Sequence, residues 1–361
     1  MRVTFYHYYT FRLGRGIETL IISLANELSE KGHEITILSG SREIETLVKV
    51  NPKVKVLSAP KFKYFEHFLT VPFFALKLIQ LKTDYTVIFF ADFGEQYTLP
   101  IVNFFKKNKL VVYLCYPFSS VPHRYKNFYK KSIKINIDKV LADANWIAIG
   151  AEHVFDKKIS TVPVGTDPDR FFPSSQNKKD MREKLGIKED SFVLLNVSAL
   201  EHKKGIWRVI EALVNLKDPQ IIYVILGKGI DEENLRKMVI KHNLENQVLF
   251  LGTTAELELF YQLSDVFIMV PDLEGNSIAS HEAMSSSLPL IVSNTGGFPE
   301  AVPFNGAIFV NPDNSQEIVS AIRQLKNDKN LRVEMGIINR NHIIDNYSWK
   351  AISEIFIKAI E

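Results

Sequence analysis

Residues 266–292 constrain the fold more than any other stretch. Val266-Phe267-Ile268-Met269-Val270 is an unbroken apolar run closed by Pro271, and Leu290-Ile291-Val292 is a second, separated from the first by a helical stretch that Pro289 terminates. Strands that are apolar on both faces belong to parallel sheets covered by helices on either side. This unit therefore predicts an α/β fold, and the rest of the chain repeats it. Short β-rich runs stand at 2–6, 34–38, 54–58, 85–90, 110–114, 139–142 and 159–164, then again at 192–197, 221–226, 248–251, 266–270, 290–292 and 307–310. Helical stretches lie between them. In the first, 17–31, Leu20, Ile21, Leu24, Ala25 and Leu28 make one apolar face and Gly32-His33 stops the helix. At 361 residues the chain exceeds one typical core, so two parallel-sheet domains are expected. The polar run 173–180 is the linker candidate, giving domains 1–173 and 174–345, with an amphipathic helix in 346–361.

Between the two apolar runs the residues change character. Glu274-Gly275 makes a permissive loop; Asn276 and Ser277 are helix-capping types; Ile278, Ala279, Ala283 and Met284 supply the apolar positions of a following helix. Where a parallel strand ends and a helix begins, free N–H groups and the helix dipole favour phosphate. On this reading Glu282 lies two turns inside the helix, and eight residues of helical rise, about 12 Å, match the reach from a sugar across a diphosphate to a ribose. One carboxylate could then hold sugar hydroxyls and the other ribose hydroxyls; a surface helix with two solvated glutamates is the alternative. Loop 198–205 carries Lys203 and Lys204 to the same sheet edge, and Gly227-Lys228-Gly229 is a third loop there. Gly14-Arg15-Gly16 begins like a dinucleotide fingerprint but has Thr19 at the third glycine position, so a Rossmann dehydrogenase is not expected.

Composition narrows the class. The single Cys115 excludes a disulfide framework within the chain. Neither a secretory leader nor a membrane span is expected: MRVTFYHYYT lacks a continuous apolar segment, and the greasy region 68–81 is interrupted by Pro72 and Lys77. Residues 1–173 hold 24 Lys/Arg against 16 Asp/Glu, a net of +8, and the remainder 20 against 25, a net of −5. A basic half suits anionic ligands or a membrane surface, whereas no recognised motif supports nucleic-acid binding. The basic and aromatic runs 61–82 and 124–134 fit core packing or a solvated helix face, and alternatively a peripheral membrane contact. Asp167-Pro168-Asp169 has metal-binding spacing but stands before the linker rather than closing a strand, so no metal is expected there.

The spacing Glu274-x7-Glu282, with Ala283-Met284, Pro289 and Gly296-Gly297-x-Pro299-Glu300, resembles the signature of the retaining GT-B glycosyltransferases of family 4, also called glycosyl transferases group 1. Supporting matches run along nearly the whole chain: Gly16-Ile17-Glu18, Gly32-His33-Glu34, Pro163-x-Gly165-x-Asp167, Lys204-Gly205, Gly227-x-Gly229, Leu251-Gly252 and Ser264-Asp265-Val266. The resemblance implies two Rossmann-like domains facing across a cleft, with a C-terminal helix returning to the first. It implies that Glu274 contacts the donor sugar and Lys204 balances the diphosphate, the two catalytic residues, while Glu282 binds the ribose and the amides of Gly275, Asn276 and Ser277 cradle the phosphates. Gly16, Arg15, Lys203, Gly227, Gly229 and Thr254 complete the expected donor site, and Gly14, Cys115 and Tyr116 stand on the acceptor side. No metal or other cofactor is required in such a fold. The chain departs from the pattern at Ala199, where an arginine is common, at Asn276-Ser277 in place of Phe-Gly, and at Cys115, where a histidine often precedes Tyr-Pro. Arg15 or Lys203 could replace the missing charge. The expected activity is transfer of a hexose-type sugar from a UDP- or GDP-sugar to a glycan or lipid-linked acceptor, in the cytoplasm or peripherally on the inner face of a membrane. A non-catalytic sugar-nucleotide-binding subunit, and an epimerase or phosphorylase, are the alternatives.

Overall fold

The computed structural model describes residues 1–8, 10–11, 16–40, 48–59, 66–90, 98, 104, 108–115 and 137–361, with the backbone alone for 66–71, 90 and 154. The chain divides into two compact units, Met1–Val164 with Trp349–Glu361, and Gly165–Ser348.

The first unit contains β1 (Arg2–Tyr6), α1 (Gly16–Glu30), β2 (Glu34–Ser39), β3 (Lys55–Ser58), α2 (Glu66–Gln80), β4 (Tyr85–Phe90), β5 (Lys109–Leu114), β6 (Lys139–Ala142), α3 (Asn145–Phe155) and β7 (Ser160–Thr161). Among the described residues they form a seven-stranded sheet in the order β3-β2-β1-β4-β5-β6-β7, every pairing parallel. The stop after α1 is a Schellman turn. Gly32, at φ 84°, donates its N–H to Ser29 O, and His33 donates its own to Leu28 O. On one face Tyr6, Phe74, Leu78, Val112 and Ile147 join one buried cluster, so the described part of the 61–82 run packs Phe74 inward while Leu76 is exposed. The remainder of that run, 61–65, and all of 124–134 lie outside the described residues. On the other face sits the C-terminal helix Trp349–Ile360, whose Ile352, Phe356 and Ile360 make a fully buried stripe at helical spacing. Phe356 meets Phe5 edge-on at 5.7 Å, and Lys31 pairs with Glu354 at 3.1 Å. The expected return of this helix to the first domain is thus present.

The second unit contains α4 (Ser175–Lys184), β8 (Phe192–Val197), α5 (Ile206–Leu216), β9 (Ile221–Leu226), α6 (Glu232–Lys241), β10 (Val248–Gly252), α7 (Leu257–Leu263), β11 (Val266–Met269), α8 (Ile278–Ser285), β12 (Leu290–Ser293), α9 (Phe298–Ala301), β13 (Ala307–Val310), α10 (Ser315–Asn327) and α11 (Lys329–Asn346). Its sheet is parallel throughout, in the order β10-β9-β8-β11-β12-β13. Residues 165–173 belong to this unit, so the division falls before the polar run rather than within it. The reason is side-chain anchoring: Arg170 pairs with Glu258 at 2.8 Å and donates to Ala255 O, Phe171 meets Tyr261 edge-on at 5.6 Å, and Ser285 and Arg340 both donate to Phe171 O. Asp167 accepts the backbone N–H groups of Asp169 and Arg170, turning the chain locally. A second anchor lies under the sheet. Asp265 takes Lys178 at 2.7 Å, Arg182 at 2.8 Å and the N–H of Val193 at 2.8 Å. Burial pushes this carboxyl up, but the two cations and the amide more than offset that and hold it below the ordinary range.

Candidate active site

The order of the second sheet reverses between β8 and β11, which pair directly through Leu194↔Val266 and Leu195↔Phe267. The chain leaves these neighbours on diverging crossovers, opening a crevice outside their carboxyl ends, the usual ligand position in such sheets. Lys204 follows β8 and Glu274 follows β11. Lys204 Nζ lies 2.6 Å from Glu274 Oε2, and the two side chains are only 20% and 16% exposed. Two residues chosen from separate loops, 70 positions apart, are therefore one ion pair at the switch point.

Glycines set the approach of these loops. Gly205, at φ 70°, follows the short 3-10 turn His202–Lys204, and a Cβ there would stand 1.8 Å from Val270 O. Gly296, at φ 61°, leaves no more room beneath Glu274, whose carbonyl would lie 2.1 Å from an added Cβ and accepts the N–H of Gly297. Gly227 and Gly229 press on Ser198 O and Leu200 O, while Gly227 N–H reaches Gly252 O at 2.7 Å. The loops after β8, β9 and β10 are thereby knitted into one rim.

Helix α8 begins at Ile278, directly after the two capping types the sequence offers. Ser277 is its N-cap, with Oγ accepting the N–H of Ser280, and Gly275 and Asn276 remain outside the helix. Glu282 consequently lies about one turn inside, not two, and the helical rise up to it is about 6 Å rather than 12 Å. Solvated glutamates are also excluded: Glu282 is 7% exposed and accepts a 2.7 Å hydrogen bond from the buried Tyr261 hydroxyl. Burial pushes its carboxyl up to about 7, against the opposing pull of Tyr261 and Arg170.

Other expected residues fall less centrally. Lys203 pairs with Glu201 at 2.9 Å with 63% of its side chain exposed, although its carbonyl accepts Asp272 N–H. Thr254 Oγ1 is taken by the N–H of Glu256. Gly16 opens α1. Cys115 directly follows β5, and burial, reinforced by Asp143, pushes its thiol well up, opposite to what a thiolate nucleophile needs. Gly14, Arg15 and Tyr116 lie outside the described residues. Among the described residues no group of three or more His, Cys, Asp or Glu is placed to hold a metal ion, and no helix is long and apolar enough to cross a membrane.

No sequence pattern singles out Tyr261 or Arg208. Arg208 is 6% exposed, and its Nη2 lies 2.6 Å from Asp272 Oδ1 while Nη1 donates to Val270 O at 3.3 Å. It ties α5 to the start of the Glu274 loop. Neither residue belongs to a local motif, since both act on partners far along the chain.

The switch point thus gathers a cation from one loop, a carboxylate from the next and a buried carboxylate in the following helix, and two family models match the chain that carries it. The model of glycosyl transferases group 1 matches residues 177–342 and that of glycosyltransferase family 4 matches residues 14–170; the chain belongs to this GT-B family of glycosyltransferases. It is 22% identical over 383 residues to the alpha-monoglucosyldiacylglycerol synthase of Acholeplasma laidlawii, covering 96% of this chain and 92% of that one. With the GDP-mannose-dependent alpha-(1-6)-phosphatidylinositol monomannoside mannosyltransferase of Mycobacterium tuberculosis it shares 29% identity over 204 residues, and this match spans only 53% of each chain. Anabaena HepE, solved in complex with UDP-glucose, superposes with a TM-score of 0.82 at 16% identity, covering 99% of this chain and 98% of the other.

Proposed function

We propose that this protein transfers a hexose-type sugar from a UDP- or GDP-sugar to a glycan or lipid-linked acceptor, with retention of configuration and without a metal. The observation that carries this reading is the Lys204–Glu274 ion pair at the β8/β11 switch point. Departure of the nucleotide builds negative charge on the outer phosphate, and a cation with the N-terminus of α8 beside it stabilises that charge more than it stabilises the bound ground state. With Lys204 balancing the phosphate, no metal is needed for the charge. Glu274, released toward the sugar, accepts its hydroxyls, and the leaving phosphate supplies the anion beside the oxocarbenium-like sugar. Support for a lipid or glycan acceptor comes from the net +8 of residues 1–173 and from the relatives' names, one of which includes a glucosyldiacylglycerol and the other a phosphatidylinositol monomannoside. An anionic membrane face is the corresponding location.

The test is incubation with a panel of UDP- and GDP-sugars and candidate acceptors, following free nucleotide and reading the anomeric configuration of the product by NMR, with and without a chelator. Lys204→Ala should lower kcat on the order of 10²-fold or more with the fold intact. Unchanged turnover would remove the clamp; an inverted product would remove retention; an isomerised donor or a sugar phosphate would replace transfer with epimerase or phosphorylase chemistry.

A further inference from the structure

We propose that Tyr261 is a positioning residue for the ribose end of the donor site: its hydroxyl clamps one oxygen of Glu282 so that the other is presented, as an ionised acceptor, to ligand hydroxyls. This rests on the nucleotide-sugar reading above. Tyr261 is fully buried and donates to Glu282 Oε2 at 2.7 Å, whereas Oε1 takes no hydrogen bond among the described residues. The ring cannot swing away. It meets Phe171 edge-on at 5.6 Å and lies against Phe267 at 6.3 Å, and the carbonyl of Phe171 is itself held by Ser285 and Arg340.

The chemistry requires such a donor. Two adjacent ribose hydroxyls are bound best by a carboxylate that accepts from both, because hydrogen bonds to an ionised acceptor are about twice as strong as neutral ones. Burial works against ionisation at Glu282, and the Tyr261 hydroxyl favours it. The surrounding groups do not replace that donor. From α7 comes Glu258, whose charge works against the ionised form; Arg170 of the preceding segment, paired with Glu258, favours it from a distance. From α11, packed against α8, come Arg340, which donates to the carbonyls of Phe171 and Ser285, and His342, which lies 3.2 Å from Ala301 O. On α8 itself His281 lies against the Tyr347 ring.

The test is calorimetric titration of the full chain with UDP and with GDP, for wild type, Y261F, E282Q and the double variant, between pH 6 and 9, with melting curves to establish folding. Removing the hydroxyl should raise the Glu282 midpoint, so Y261F should weaken binding about fivefold near pH 7 and much less at pH 9, and should cost nothing further in the E282Q background. A loss equal at every pH, or one that persists with E282Q, would mean that the ring only packs. The Glu282 carboxyl titration is read separately by 13C NMR, assigned by its disappearance in E282Q. A midpoint unmoved in Y261F overturns the clamp even where nucleotide binds. If wild type binds neither UDP nor GDP, the nucleotide reading and the ribose role fall together, and the NMR titration still decides whether Tyr261 controls the carboxylate.

Discussion

Glu282 is held in a position that burial alone would keep protonated near neutrality. An acid with a raised folded pKa binds its proton more tightly in the folded state, so the stability this brings is complete below about pH 4.5, its ordinary value, and is lost as pH rises through about 7. Above that point the fold carries a buried charge. Glu282→Gln keeps an acceptor for Tyr261 without the charge. It should therefore unfold at higher urea than wild type at pH 8, by up to about 3 kcal/mol, and nearly together with it at pH 4.5. The same variant should bind nucleotide more weakly, the trade-off expected where a residue is kept for function. At this scale Glu274, Glu282 and Lys204 were legible because their residue types stand at a recognisable spacing. Tyr261 and Arg208 were not: a buried hydroxyl or guanidinium is functional only through its partner, and Tyr261 meets Glu282 across 21 residues and Arg208 meets Val270 across 62.

Among the elements, the loops following the strands carry the site, and their glycines determine how closely they approach. Gly296 combines a left-handed backbone with a Cβ position 2.1 Å from Glu274 O. Gly296→Ala should therefore displace the Glu274 loop, costing about 1–3 kcal/mol in strain and lowering kcat/KM by about tenfold or more; thermal melting and steady-state kinetics read the two effects. Turnover at the wild-type level would show that the turn does not set Glu274. Strands other than β7 were legible to within a residue, because runs such as 221–226 and 266–270 are continuously apolar and fit a covered sheet. The start of α8 was less so. Asn276 and Ser277 are both capping types, and only the bond from Ser280 N–H to Ser277 Oγ distinguishes them, moving Glu282 one turn nearer the helix start.

For the whole molecule, the two units differ in continuity. Residues 165–348 form an uninterrupted stretch, whereas the first unit closes only when the last helix covers Phe5, which in turn meets Phe89 edge-on. A fragment of residues 165–348 should fold alone with a cooperative thermal transition. A fragment of residues 1–164 should not, and should gain a transition when residues 349–361 are fused to it. Cooperative melting of 1–164 by itself would show that the helix adds little, against the burial of Ile352, Phe356 and Ile360. By itself the sequence determined the alternation of strands and helices, the two parallel sheets, and the carboxylates and lysine of the candidate site. Each of these follows from local periodicity or from short spacings written along the chain. Only the tertiary structure decided that Lys204 and Glu274 pair, that Glu282 is buried beneath a tyrosine, and that the chain divides before residue 165, because those outcomes depend on which distant groups share a water-poor space, and burial is a property of the packed fold rather than of any segment within it.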